Sequence, residues 1–208
     1  MKEIVLTLYG FFCVLIPAMA TYGILHIRYR AKAAKEPRQH FLKVLALAVY
    51  IAGVFHVTGA GTVFHIRQYG LDAMVTEYNL IPFSHEIDMV GYALNILLFV
   101  PLGFLLPLTW TNEDSLRKAL LWGVSFSLLI ELSQLLNIRS SDIDDLLLNT
   151  IGAAAGFLLF RLFAALTKRR KESGQLFRLE ALLYIGAMFL GRFLFFDEFG
   201  MAKILYGF

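Results

Sequence analysis

The sequence predicts an all-α protein, a polytopic transmembrane bundle of about six helices, and three observations carry that prediction. Hydrophobic residues fill 58% of the 208 positions and charged residues 17%, against about 45–50% and about 25% in ordinary globular domains. Apolar runs recur at lengths close to the ~20 residues that a helix needs to cross the hydrocarbon of a bilayer. The basic residues gather in short blocks between those runs, which is how loops retained in the cytoplasm are marked. A mean hydropathy of +0.66 agrees.

The expected spans are residues 4–25, 41–64, 89–110, 119–136, 146–166 and 179–196. The fifth carries Arg161, near enough to a helix end to snorkel. The sixth carries Arg192, which either snorkels outward or pairs inside the bundle. Ala18-Met19-Ala20 has the small-residue form of a signal cleavage site, but Glu3 offsets Lys2, so an uncleaved first helix is expected.

Charge sets the orientation. The first, third and fifth connections carry Arg28, Arg30, Lys32, Lys35, Arg38, Lys43, Arg117, Lys118, Lys168, Arg169, Arg170, Lys171 and Arg178. The other side has Lys2, Arg67, Arg139 and Lys203. Thirteen cations against four place the basic loops in the cytoplasm and both termini outside, in a multi-pass protein of the cell membrane. The net charge of +3 therefore belongs to these loops, and no nucleic-acid partner is expected. Cys13 is the single cysteine and forms no intrachain disulfide.

The chain divides into a first helix with its basic loop (1–40), a central membrane domain (41–166), and a second basic loop with the last helix (167–208). The outer connection 65–88 holds Tyr69, Tyr78 and Phe83, placed by ring chemistry at the headgroup level, and Pro82 marks a short surface-lying or re-entrant segment.

Ionisable groups inside a span are functional candidates, and Glu131 is the foremost. Helical spacing puts Gln134 on its face, three residues on. Asn95 and Asn149 come from the third and fifth spans. At a rise of ~1.5 Å per residue, Asn95 and Glu131 sit about 9 Å below the outer helix ends, Asn149 about 6 Å and Gln134 about 5 Å. Three helices thus deliver polar groups to one level. Above it, Arg139 can pair with Glu131 or an aspartate, and Asp142 or Ser141 can cap the fifth span, whose positive end suits the early aspartates.

Asp142, Asp144 and Asp145 offer the oxygens that Mg²⁺ or Ca²⁺ takes, but no defined loop pattern accompanies them, so neither metal nor cofactor is expected. The histidines show no ligand spacing. Gly152 and Gly156 form a small-xxx-small packing pattern. Pro101 and Pro107 flank Gly103 and predict a kink in the third span.

Four of these blocks, in order, resemble the VanZ-like family: Asn79-Leu-Ile-Pro82-Phe; Asn95-Ile-Leu-Leu-Phe-Val-Pro101-Leu-Gly103-Phe-Leu-Leu-Pro107; Ile130-Glu131-Leu-Ser-Gln134; and Arg139 followed by Asp142-Ile-Asp144-Asp145-Leu-Leu-Leu-Asn149-Thr-Ile-Gly152-Ala-Ala-Ala-Gly156. The resemblance covers about residues 41–166. The stretch from Pro82 to Asn95 is compact relative to some members.

The resemblance implies an integral membrane protein of the class named for resistance to teicoplanin, a glycopeptide antibiotic with a fatty-acyl tail. The expected partners are membrane lipids and an amphiphile such as a lipid-linked wall precursor or a lipoglycopeptide. In the leading reading Asn95, Glu131, Gln134 and Asn149 line a groove for its polar head, with Arg139, Asp142 and Asp145 at the rim. A second reading is an enzyme acting on lipid-linked wall intermediates with Glu131 as general acid or base, and a third is a lipid transporter or flippase.

Overall fold

The structure, a computed structural model, describes residues 1–29, 37–70, 78–79, 81–83, 88–137, 141–168 and 176–207. Among these are eight α-helices: α1 (Lys2–Arg28), α2 (Pro37–Thr58), α3 (Val63–Tyr69), α4 (Met89–Thr109), α5 (Leu116–Gln134), α6 (Ile143–Leu166), α7 (Glu180–Phe195) and α8 (Glu198–Tyr206). Two two-residue strands, β1 (Tyr78–Asn79) and β2 (Ser141–Asp142), pair in parallel. Five of the expected spans correspond each to one helix, and the span over residues 41–64 to two. In lipid the helical state is forced, because a spanning segment has to satisfy its backbone groups internally.

The segments Lys2–Arg28, Arg38–Tyr69, Met89–Thr109 and Ile143–Leu166 are long and apolar enough to cross a membrane. The other two expected spans are helices of different quality. α7 has only 16 residues, and α5 includes Arg117, Lys118, Glu131 and Gln134.

The expectation of one helix over residues 41–64 requires correction. α2 stops at Thr58, and Gly59 follows at φ +63°, a left-handed conformation that glycine adopts without steric penalty. Thr62 and His65 then form a reciprocal capping box that starts α3. α8 was not expected. Asp197 caps it, accepting from Gly200 N at 2.8 Å. α4 stays helical through Pro101 and Pro107.

Packing is tightest around α6. A Cβ added at Gly152 would lie 2.1 Å from Ile96 O, at Gly156 1.9 Å from Val100 O, and at Gly103 1.8 Å from Ala153 O. These glycines let the backbones of α4 and α6 touch, and the two helices run in the same direction, since both contact positions advance together. α1 and α7 meet likewise at Gly191, whose Cβ would fall 2.3 Å from Cys13 O.

The surface is apolar and the interior partly polar. Leu97, Ile151, Leu158 and Leu162 on α4 and α6 are all more than half exposed, whereas Ser127, Asp144, Glu180 and Arg192 are buried. Apolar exposure on this scale suits a lipid solvent, not water.

The polar end opposite the candidate site is held by pairs. His40 Nε2 and Glu180 Oε1 are 2.9 Å apart, Trp122 Nε1 donates to Glu113 Oε2 at 2.9 Å, and Arg161 pairs with Asp114 at 3.1 Å. Arg161 thus finds a carboxylate close to its helix end.

Candidate functional site

The site is built where α4 and α6 begin and α5 ends. Pairing of Asn79 with Asp142 in the β1–β2 register lays the segment before α4 across the start of α6. Asn79 Nδ2 donates to both Asp142 carboxylate oxygens, at 3.3 and 3.4 Å, while its Oδ1 accepts from Ile81 N at 3.1 Å. Asp142 caps α6, accepting from Asp144 N at 3.0 Å. That is the cap the sequence implied.

Asp144 is 2% exposed and is held by donors on two sides. Phe83 N donates to Oδ1 at 2.9 Å and Tyr92 OH to Oδ2 at 2.8 Å. Phe83 sits at φ +55°, an uncommon conformation for a bulky residue, and its ring packs edge-on against Tyr92 at 5.9 Å. Asp145, on the next position of the turn, accepts from Asn95 Nδ2 of α4. The first turn of α6 therefore concentrates three carboxylates at the positive end of a helix, each with an amide, hydroxyl or backbone donor.

α5 lies antiparallel to α6. Gly123 packs on Ala153, its added Cβ 3.0 Å from the alanine methyl, and Asn149 Nδ2 donates to Ser127 Oγ at 2.9 Å. One turn nearer the helix ends, the same register sets Glu131 opposite Asp145. Glu131 is 9% exposed. Asn149 is buried too, and its Oδ1 has no hydrogen-bond partner among the described residues. Asn95 of α4 thus meets Asp145 of α6, Asn149 of α6 meets Ser127 of α5, and the register carries Glu131 to the same end of α5.

Gln134 is directed elsewhere. Its Nε2 donates to Thr58 O at 2.7 Å, and Asn137 Nδ2 donates to Gly59 O at 2.9 Å. Both close off carbonyls that the end of α2 leaves without a helical donor. Ser133 Oγ accepts from Gly61 N at 3.1 Å in the same joint. Arg139 lies outside the described residues.

Three participants escaped the sequence reading as site residues: Tyr92, Ser127 and Asp144. Tyr92 precedes Asn95 by three positions and Ser127 precedes Glu131 by four, so helical spacing could have found both. Asp144 stood inside the acidic cluster, but nothing in its spacing separates it from Asp145. Among the described residues, no group of three or more His, Cys, Asp or Glu side chains is arranged to hold a metal ion.

This chain belongs to the VanZ/LLP1 family, whose model matches residues 42–164, the stretch that contains the cluster just described. Together with its long apolar helices, this makes it a membrane protein of that family. Neither a curated protein nor a solved structure shows significant similarity to the chain.

Proposed function

We propose that this is a multi-pass protein of the cell membrane that holds the polar head of an amphiphilic envelope ligand at the outer leaflet. Both termini face outward in this reading. In this reading the protein protects against teicoplanin-type lipoglycopeptides, the resistance for which its family is named, by binding or shielding the ligand. The observation that carries the proposal is the α5–α6 register, which sets Glu131 opposite Asp145 with Asn95 and Asn149 beside them. Carboxylates interleaved with amides match the hydroxyls and amides of sugars and peptides. A bare phosphate would call for more than one arginine.

One feature favours a second reading, in which the protein is an enzyme acting on lipid-linked wall intermediates. Two carboxylates on facing turns are what general acid–base chemistry requires, with Glu131 the acid or base. Asn149 Oδ1, buried without a hydrogen-bond partner among the described residues, serves either reading by accepting a hydrogen bond from the ligand.

The test is expression of wild type and Glu131→Gln in a susceptible Gram-positive host, with membrane abundance matched. Tolerance is measured to teicoplanin and to vancomycin, which has no acyl tail. Protection against teicoplanin alone, lost in Glu131→Gln, is the expected outcome. An abundant wild-type protein without protection refutes the resistance assignment. Release of a modified wall intermediate by wild-type membranes, absent with Glu131→Gln, selects the enzyme.

A further inference from the structure

A second polar site lies among α1, α2, α7 and α8, mostly outside the residues that match the family. A cavity of about 190 Å³ opens there, lined by Arg192, Glu198, His56 and Thr7 and by the apolar Leu6 and Phe196. Arg192 is 6% exposed. Its guanidinium lies over the Phe196 ring, 3.4 Å from the centroid, and Gly10 leaves it room, since a Cβ there would come within 2.8 Å of Nη1. Arg192 does not snorkel to the surface and forms no ion pair within 4 Å among the described residues, although the Glu198 carboxylate on the same cavity wall attracts it. Its Nε has no hydrogen-bond partner among the described residues, and the ion pairs there are those of His40, Lys118 and Arg161.

Burying a cation is costly unless an anion or a set of acceptors meets it. Stacking on Phe196 offsets part of that cost and leaves the Nε edge of the guanidinium unused. That planar edge fits the paired oxygens of a phosphate or carboxylate. The surroundings narrow the choice. Outside the cavity, Leu8 and Phe12 of α1 and Val57 of α2 are 51%, 54% and 66% exposed, an apolar outer surface along which acyl chains can lie. Glu198 on the wall opposes a doubly charged anion and attracts an ammonium.

We propose that this cavity binds the zwitterionic phosphodiester head of a membrane lipid. The phosphate is held by Arg192, the ammonium lies towards Glu198, and the acyl chains run along α1 and α2. The proposal is independent of the Glu131 cluster, because it rests on other helices and other side chains.

The experiment is native mass spectrometry of the detergent-purified chain titrated with phosphatidylethanolamine, with phosphatidylglycerol, and with inorganic phosphate as competitor. Wild type is expected to retain phosphatidylethanolamine about tenfold better than phosphatidylglycerol. Arg192→Gln is expected to weaken that retention about tenfold, as loss of a charge-assisted pair does. Glu198→Gln should erase the preference between the two lipids. Thr7→Trp, which puts a large side chain on the cavity wall and keeps Arg192, should abolish retention, so the test stands even where Arg192→Gln does not fold. Equal retention of both lipids by wild type, or unchanged retention in Thr7→Trp, overturns the proposal. Displacement of the lipid by millimolar inorganic phosphate assigns the cavity to free phosphate and overturns the lipid.

Discussion

The α4–α6 cluster and the Arg192 cavity stand at the same end of the bundle, joined through the end of α2, yet they solve opposite problems. At the start of α6 the charges are negative, and donors arrive from the chain itself: Asn79 for Asp142, Phe83 N and Tyr92 for Asp144, Asn95 for Asp145. In the cavity a buried cation has an aromatic face beneath it and an Nε without a hydrogen-bond partner among the described residues. A network that is nearly complete defines shape, and it leaves to a ligand only what its few open acceptors can recognise. A charge left incomplete is a binding element in itself, because leaving a buried polar group unsatisfied costs more than satisfying it gains.

The comparison rests first on the seam that holds α4 against α6, and breaking that seam has the largest expected effect. Gly103→Leu or Gly156→Leu drives a side chain into a carbonyl less than 2 Å from the added Cβ. Loss of folded protein is expected, by more than about 3 kcal/mol, the upper range of overpacking, read as disappearance of the monodisperse peak in size exclusion. Gly186→Ala, with nothing within 4 Å of its Cβ, is the control and should elute like wild type.

Removing a single donor from the network should do less. Tyr92→Phe deletes the hydroxyl bond to the buried Asp144 carboxylate, and a lower melting temperature than wild type is expected. Thermal unfolding in detergent measures this. A variant as stable as wild type would mean that Asp144 is not dependent on that donor.

Gln134→Ala sharpens the contrast between a site residue and a joint residue. It leaves Thr58 O without its donor, at a cost of about 1 kcal/mol, and teicoplanin tolerance should stay at the wild-type level. Tolerance lost at unchanged membrane abundance would return Gln134 to the groove. Asn149→Ser is the smallest change expected in stability, within about 1 kcal/mol for a net hydrogen bond. It removes the open Oδ1 acceptor, and tolerance should fall with it.

The positions of the helices were legible because hydropathy and helical rise act locally. Five of the six apolar runs became single helices and the run over 41–64 became two, while Asn95, Glu131 and Asn149 lie on α4, α5 and α6 where counting residues puts them. The glycine pattern at 152 and 156 was legible for a similar reason, since only a missing side chain lets two backbones touch. Two things were not. The break after Thr58 depends on Gln134 and Asn137, more than seventy residues away, which take up the carbonyls that the helix end releases. The fate of Arg192 depends on Gly10 and Phe196 on two different elements.

By itself, then, the sequence determined which segments are apolar helices and which polar residues lie on them, since the cost of an exposed backbone or charge in hydrocarbon is levied residue by residue. Only the tertiary structure decided which polar groups meet. Register between α5 and α6 joins Asn149 to Ser127 and carries Glu131 level with Asp145, and the packing of α1 on α7 encloses Arg192. Both are sums of many contacts between helices distant in sequence, and no local pattern encodes such a sum.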